Sequence, residues 1–415
     1  MLDDDNLQDT TMLTRRHIIK SLTAGSALMA APAILRAQTS STFRIGALCP
    51  ITGGSNYGPG MQKMILASAK AVNEAGGAAG RQLEVFSEDD QTNPQAGVLA
   101  AKKLIEINKV QAILGTWASG VSLAVAPLTN DANIFLMNTS GAPALSVPPA
   151  NAKGLLYRFQ GTNDRWGRAY YQAALKEGFK RPATMALNNA AAISVTEGFQ
   201  AAWEGAGNKL VEKVVYEPNQ ASYRSEFQKV LAAKPDVIVM GSYLADLTIL
   251  LREWYQTGEQ MRFITPTYAA NPQLVKALNA EVVEGIISVD TVPNETAASY
   301  KVFDEAYRKE TGEPASSNSF AAMTWDMVNV LALAIEAANS VETAAINAKI
   351  REIANPPGQK VYSFAEGKAA LKSGKIDYDG ASSVLDFDAK GDVKPDFGVY
   401  VFEKGKLERK YVVAI

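Results

Sequence analysis

Alternating strand and helix patterns run through most of this 415-residue chain, and they restrict it to one class of fold. Short β-rich runs such as Phe43 to Cys49 are followed by segments with apolar residues every three or four positions, as in Pro59 to Ala75. That helical pattern stops at Gly76-Gly77, which is a common signal for a helix C-terminus. Repeated β-α-β units of this spacing predict a parallel, doubly wound sheet.

The alternation begins again after Arg158 to Thr162. A second series of strands and helices runs from Trp166 to Thr265, and long helical patterns and a final group of strands follow it. No low-complexity linker separates the two series. We therefore predict an α/β protein with two doubly wound lobes, joined by several chain crossings at a hinge.

The N-terminal segment has the features of an export signal. Two adjacent arginines precede a mildly apolar run from Ser21 to Leu35, which ends close to the small residue Ala37. Paired arginines before such a run are typical of twin-arginine signals, and the run is too short and too mild to span a membrane. We predict a signal peptide over residues 1–37 and a periplasmic mature protein, with Met1 or Met12 as the first residue. The alternative is an amphipathic N-terminal helix of the mature chain, which the charge placement does not favour.

Composition excludes several kinds of chemistry. The chain has 41 basic and 43 acidic residues and no basic cluster, so nothing favours a nucleic-acid partner. The single histidine, His17, lies in the predicted signal, and the single cysteine, Cys49, has no partner for an intrachain disulfide. Motifs of hydrolases, zinc sites and dinucleotide sites are missing from the sequence. We expect no cofactor, no metal and no enzymatic activity.

Several short segments occur in an order and spacing that suggest a family: Ile45-Gly46, Pro50 to Gly54, Val72 to Arg81, Asp89-Asp90, Pro94, Gly115 to Ser119, Met240 to Tyr243 and Phe387 to Asp392. From Phe43 to about Val412 the chain resembles the periplasmic solute-binding proteins of branched-chain-amino-acid-type ABC importers.

The resemblance implies two α/β lobes joined by three crossings, with a small-molecule ligand held in the cleft between them. It further implies an inner-membrane ABC permease as partner, and we expect a monomer. We divide the chain into one lobe of residues 42–160 plus 289–385 and another of residues 161–288 plus 386–415. A periplasmic ligand sensor of the same fold is the main alternative, and a carboxylate-based hydrolase has less support.

In open α/β sheets, ligands bind beyond the carboxyl ends of the strands. The candidate site is therefore sought in the loops at these strand ends. Loops at such strand ends, together with positions that the resemblance implies, give nine candidate ligand-binding residues: Tyr57, Trp117, Ser119, Thr139, Gly141, Tyr243, Thr267, Tyr268 and Phe320. Ser119 begins a predicted helix, whose backbone N–H groups suit a ligand carboxylate. The alternatives are a plain N-cap for Ser119, a core position for Trp117 and interlobe packing for Phe320.

Two of these positions bear on the ligand. The relatives that bind α-amino acids typically carry an acidic residue at the position of Thr267, and often a hydroxyl residue at the position of Gly141. A buried ammonium without a carboxylate partner is costly, so the sequence argues against the usual amino-acid recognition. We predict a small carboxylate-bearing solute, an amino acid or an aromatic acid, with the flatter aromatic acid favoured.

Asp89 and Asp90 are predicted to be structural, since adjacent strand residues point to opposite faces.

Overall fold

The computed structural model describes residues 42–415, and the predicted signal peptide lies outside this range. Five apolar segments of the first half form one sheet in which all neighbouring strands are parallel. The order across the sheet is β2-β1-β3-β4-β5. Its strands are β1 (Phe43–Cys49), β2 (Leu83–Asp89), β3 (Ala112–Thr116), β4 (Phe135–Asn138) and β5 (Leu156–Arg158).

The second sheet has seven strands in the order β14-β13-β10-β9-β8-β6-β7. Its strands are β6 (Pro182–Leu187), β7 (Lys213–Tyr216), β8 (Val237–Gly241), β9 (Phe263–Pro266), β10 (Ile287–Thr291), β13 (Phe397–Glu403) and β14 (Lys406–Val413). The five strands from β6 to β10 repeat the order of the first sheet and are parallel, whereas β13 and β14 add an antiparallel edge. The predicted α/β class with two doubly wound lobes is confirmed, and the antiparallel edge is an addition to it.

Thirteen α-helices and a small two-stranded parallel sheet, β11 (Gln359–Val361) with β12 (Ile376–Tyr378), complete the described part of the chain. The helices are α1 (Gly58–Glu74), α2 (Pro94–Lys102), α3 (Ser119–Ala132), α4 (Asn163–Lys176), α5 (Ala190–Gly205), α6 (Arg224–Ala232), α7 (Leu244–Tyr255), α8 (Pro272–Leu278), α9 (Ala280–Val283), α10 (Ala298–Thr311), α11 (Ser319–Ala338), α12 (Thr343–Ala354) and α13 (Phe364–Ala370).

Local sequence signals explain where several helices begin and end. Helix α2 starts because the side chain of Asn93 accepts hydrogen bonds from the amides of Gln95 and Ala96, and Pro94 occupies its first turn. Helix α1 ends before Gly76 and Gly77, which both have positive φ. Because these signals are local, the strand and helix order could be predicted from the sequence.

The chain passes between the two sheets three times. It leaves the first sheet after Arg158, returns to the first core after Thr291, and enters the second sheet again at Phe397. The predicted lobe boundaries need two corrections. The boundary at 288/289 falls inside β10, which lies entirely in the second sheet, and the boundary at 385/386 is too early because Phe387 and Val393 pack in the first core.

Helix α11 is the central helix of the first lobe. It is long and apolar enough to cross a membrane by length and composition, but most of it is buried inside the protein. It packs against α1 and α12. Its apolar character on all sides therefore follows from its position in the core.

Candidate functional site

Five of the predicted residues meet where the two lobes face each other. Trp117 is at the centre of this group. Its ring centroid lies 5.2 Å from that of Tyr243, 5.5 Å from Tyr268, 5.8 Å from Phe320 and 6.3 Å from Tyr57. We call these five residues the interlobe aromatic cluster.

The cluster draws on both lobes. Tyr57, Trp117 and Phe320 belong to the first core, whereas Tyr243 and Tyr268 follow strands of the second sheet and also pack against its core. Trp117 is 6 % exposed, so it is a core residue and an interlobe contact at once. Tilted and edge-to-face pairs at these distances are favourable arrangements of aromatic rings.

Backbone geometry at the end of β3 places Trp117. Gly115 has a φ of 103°, and a Cβ atom there would lie 2.7 Å from Sγ of Cys49. Only glycine combines this conformation with this close approach. The loop therefore turns into α3 immediately after the strand, and Trp117 is directed toward the cleft.

Tyr57 makes the polar contacts that cross the cluster. Its hydroxyl accepts a hydrogen bond of 3.2 Å from Nδ2 of Asn271, which begins α8 in the second lobe. Its carbonyl oxygen accepts a bond of 3.0 Å from Nδ2 of Asn318, just before α11. Burial raises the pKa of the Tyr57 phenol, so it stays protonated. Neither asparagine was predicted from the sequence.

Ser119 is the first residue of α3 and is fully buried. The N-cap is Ala118, so the interpretation of Ser119 as a plain N-cap is wrong; its hydroxyl accepts a bond of 3.2 Å from the amide of Ala142 instead. The amides of Ser119 and Gly120 have no intrahelical acceptor, because they begin the helix. These N–H groups and the helix dipole favour an anionic group.

Thr139 and Gly141 lie in the loop after β4 and are buried next to the second lobe. The Thr139 amide donates to the Thr116 carbonyl at 3.0 Å. A Cβ atom at Gly141 would lie 1.8 Å from Oδ1 of Asn163, so only glycine allows α4 of the second lobe to approach this closely. Neither residue belongs to the interlobe aromatic cluster.

Arg158 holds this loop in place and was not predicted. The guanidinium is fully buried and pairs with Asp392 at 2.8 Å. Its remaining N–H groups donate to the carbonyl oxygens of Ser140 and Ala142, the latter at 2.9 Å. One buried arginine thereby fixes both ends of the segment that carries Gly141.

Thr267 has an acidic neighbour on the next strand. Strands β9 and β10 pair with Pro266 opposite Val289, which brings Thr267 beside Asp290, and their side chains hydrogen bond. Burial raises the pKa of Asp290 to about 6, although hydrogen bonds from neighbouring hydroxyl and amide groups oppose the shift. A carboxylate therefore lies beside Thr267 on the neighbouring strand, although position 267 itself carries no acidic residue, and this neighbour was not predicted from the sequence. The signal available in the sequence was an aspartate at the end of an apolar strand.

The paired aspartates at the end of β2 have separate roles. Asp89 holds the loop before α1, because its carboxylate accepts bonds of 2.9 Å from the Ile51 amide and 2.6 Å from the Thr52 hydroxyl. Asp90 is fully buried, and its Oδ2 has no hydrogen-bond partner. Burial raises the pKa of Asp90 to about 7, with a further contribution from the charge of Asp89. Residues 42–415 contain no cluster of three metal-ligating side chains.

Comparison with known proteins identifies the family. The model of the family described as periplasmic binding protein matches residues 42–391. A leucine-, isoleucine-, valine-, threonine- and alanine-binding protein from Pseudomonas aeruginosa is 23% identical over 373 residues, which cover 88% of this chain and 91% of that protein.

Solved structures agree with the fold. A leucine-binding protein from Thermotoga maritima has a TM-score of 0.76 at 21% identity, covering 90% of this chain and 99% of its own. A solute-binding protein from R. palustris, in complex with benzoate, has a TM-score of 0.70 at 19% identity, covering 90% and 96%. The family match extends over most of the chain, and the chain therefore belongs to the periplasmic binding proteins, which bind solutes and are not enzymes.

Proposed function

We propose that this protein is the periplasmic substrate-binding component of an ABC importer, and that it captures a small carboxylate-bearing solute with an apolar or aromatic body. The solute would be an amino acid or an aromatic acid. The names of the relatives support this range, since they include proteins that bind branched-chain amino acids and one in complex with benzoate.

The interlobe aromatic cluster is the observation that carries the proposal. Trp117 of the first lobe packs at 5.2 Å from Tyr243 of the second, so the lobes meet through rings that can enclose an apolar body. The amides at the start of α3, which have no intrahelical acceptor, would supply donors for a carboxylate beside these rings. A solute that contacts both lobes binds the closed arrangement better than the open one and shifts the protein toward closure.

A solute screen followed by scattering tests this function. Amino acids and aromatic acids are tested for a rise in melting temperature, because a solute that binds only the folded protein stabilises it. Small-angle scattering then compares the radius of gyration with and without each solute that binds. We expect a smaller radius with the solute; an unchanged radius at saturation would exclude closure as the mechanism.

We also propose export by the twin-arginine route, delivery of the solute to an inner-membrane permease, and a monomeric state. The signal lies outside the described residues, and its support is the sequence around Arg15 and Arg16. Arg15→Lys combined with Arg16→Lys is expected to leave the precursor in the cytoplasm. Normal amounts of periplasmic protein in the double variant would argue for another route.

A further inference from the structure

Asp90 is a buried carboxyl beside the cleft that the proposed function does not use. Its Oδ1 accepts a bond of 2.8 Å from the Thr92 amide, but its Oδ2 has no hydrogen-bond partner within residues 42–415. Asp326 provides an internal comparison, because it is equally buried and accepts four bonds of 2.7 to 3.0 Å. An ionised carboxylate has about four acceptor positions. Asp326 fills them, whereas the surroundings of Asp90 suit a protonated carboxyl better than an ionised one.

The turn after Asp90 holds the carboxyl in this position. Gln91 and Thr92 both have a φ of 55°, which is uncommon for residues other than glycine and most uncommon for a β-branched one. Two bonds of 2.8 Å keep the turn in this conformation, from the Gln91 amide to Asp89 and from the Thr92 amide to Asp90. Strained turns that persist in this way are concentrated at binding sites and switch regions. The strain therefore points to a function for the carboxyl that the turn positions.

The first lobe surrounds Asp90 without a cation. Among the described residues, no lysine or arginine forms an ion pair with it. Burial raises the pKa of Asp90, the Thr92 bond opposes this shift, and the charge of Asp89 adds to it. On β1 the facing titratable group is the buried Cys49 thiol, whose pKa is raised by burial and by both aspartates. From α2 and α3 the facing residues are Gly97 and Val121, which carry no charge.

The second lobe contributes Tyr243 and a further acid. A Cβ atom at Gly54 would lie 3.6 Å from Cδ2 of Tyr243 and 3.7 Å from Cγ2 of Thr92, so the tyrosine ring lies against the turn after Asp90. Burial raises the pKa of Tyr243, and the charges of Asp90 and Asp246 raise it further. Asp246 lies in the first turn of α7. Closure therefore brings an acid from each lobe to the same tyrosine, and the two charges repel when both acids are ionised.

We propose that Asp90 is a proton site that controls lobe closure: the closed arrangement holds Asp90 protonated, and loss of the proton favours separation of the lobes. In the separated state Tyr243 and Asp246 leave with the second lobe. Water then reaches the free oxygen of Asp90, and the charged form becomes less costly. The inference rests on the proposed function, because it needs two lobes that close on a solute, and it adds the proton as a second ligand of the closed state.

The direction of the pH effect follows from linkage. The pKa of Asp90 is about 7 with Tyr243 against the turn, and it should fall toward the ordinary value of 3.8 when the carboxyl is hydrated. Closure therefore takes up a proton between these two values. Because the solute and the proton favour the same state, each strengthens the binding of the other. The affinity for the solute should therefore fall as the pH rises toward and through about 7.

Calorimetry with leucine, phenylalanine and benzoate as probes tests the inference. Each probe that binds should bind about tenfold more tightly at about pH 6 than at about pH 8. Titrations at about pH 6.5 in phosphate and in imidazole, two buffers with different ionisation enthalpies, should show uptake of roughly half a proton or more per bound probe. In Asp90→Asn, whose side chain has the same size and no charge, most of both effects should be lost.

Controls assign these effects to Asp90. The other raised carboxyl between the lobes, Asp290, is present in both proteins, so the difference between them reports Asp90 alone. Asp377→Asn removes a carboxyl with a raised pKa from the small sheet of the first lobe, and it should keep the pH dependence. Asp90→Ser, which also lacks the charge, replaces Asp90→Asn if that variant does not fold.

The possible outcomes separate the inference from the proposed function. Wild-type binding without proton uptake, or uptake that persists in the folded Asp90 variant, would overturn the inference. If none of the three probes binds, small-angle scattering on the solute-free protein decides: an equal radius of gyration at about pH 6 and about pH 8 overturns the inference, and a smaller radius at about pH 6 in the wild type alone supports it. Compaction by a solute that is independent of pH overturns the inference and leaves the proposed function intact. Failure of every solute in the wider screen to compact the protein at either pH would overturn the proposed function itself.

Discussion

At the scale of single residues, Trp117 does most to connect the lobes, because it contacts four other rings of the interlobe aromatic cluster. We expect Trp117→Ala to weaken binding of phenylalanine more than binding of leucine. The difference should be about 0.5–1.5 kcal/mol, the contribution of ring packing beyond buried area. Calorimetry on both solutes measures it. Trp254→Ala, in the core of the second lobe, is the control and should leave the ratio of affinities unchanged.

The hydroxyl of Tyr57 gives a second prediction at this scale. Tyr57→Phe keeps the ring and removes the 3.2 Å bond to Asn271 of the second lobe. Closure should become less favourable by about 0.5–1.5 kcal/mol, seen as weaker solute binding. Tyr157→Phe is the matched control, because that hydroxyl bonds to Asn347 within the first lobe at 2.7 Å. Equal losses of affinity in the two variants would mean that the Tyr57 bond has no special part in closure.

Sequence reasoning predicted the aromatic members of the site better than the acidic one. Tyr57, Trp117 and Tyr243 follow predicted strands, and strand ends of parallel sheets meet at one edge. Asp290 contacts Thr267 only because β9 and β10 are neighbours in a particular register, and one sequence does not specify that register. Arg158 was missed for a similar reason, since its partners, Asp392 and backbone carbonyl groups of the loop after β4, come close to it only in the folded chain.

At the scale of elements, the loop after β4 depends on the buried pair of Arg158 and Asp392. We expect Arg158→Met to lower the free energy of unfolding by about 3–5 kcal/mol, because Asp392 is left buried without its partner. Denaturant unfolding measures the loss. Lys349→Met breaks an exposed pair with Glu352 and should cost about 1 kcal/mol or less. Losses of similar size in the two variants would contradict this account of the loop.

Element order was predictable where the signals are local. The predicted strand Phe43 to Cys49 is confirmed, and the predicted helix from Pro59 to Ala75 is shifted by one residue, to Gly58–Glu74. The small sheet of β11 and β12 was missed because its strands have three residues each, too few for a periodic pattern. The antiparallel pairing of β13 with β10 was also missed, because pairing direction depends on a partner distant in the chain.

At the scale of the whole molecule, buried carboxyls determine how stability responds to pH. Burial raises the pKa of Asp90 to about 7 and the pKa values of Asp290 and Asp326 to about 6, whereas 3.8 is the ordinary value for an unfolded chain. Between these values the folded protein binds more protons than the unfolded chain. Its free energy of unfolding must therefore fall as the pH rises through this range.

The size and origin of this pH response can be measured on the solute-free protein. Each raised carboxyl contributes a slope of up to about −1.4 kcal/mol per pH unit to the free energy of unfolding, between its unfolded and folded pKa values. Above the folded pKa value, its contribution to that free energy no longer changes with pH. Asp90→Asn should reduce the downward slope between about pH 5 and pH 7, and it should remove most of the remaining slope near the upper end of this range, above the pKa values of Asp290 and Asp326. Asp304→Asn is the control: Arg308 lowers the pKa of that carboxyl, so its contribution changes only at more acidic pH. Denaturant unfolding across the range decides the matter, and a profile of Asp90→Asn that parallels the wild type would show that Asp90 is ionised in the folded protein at these pH values.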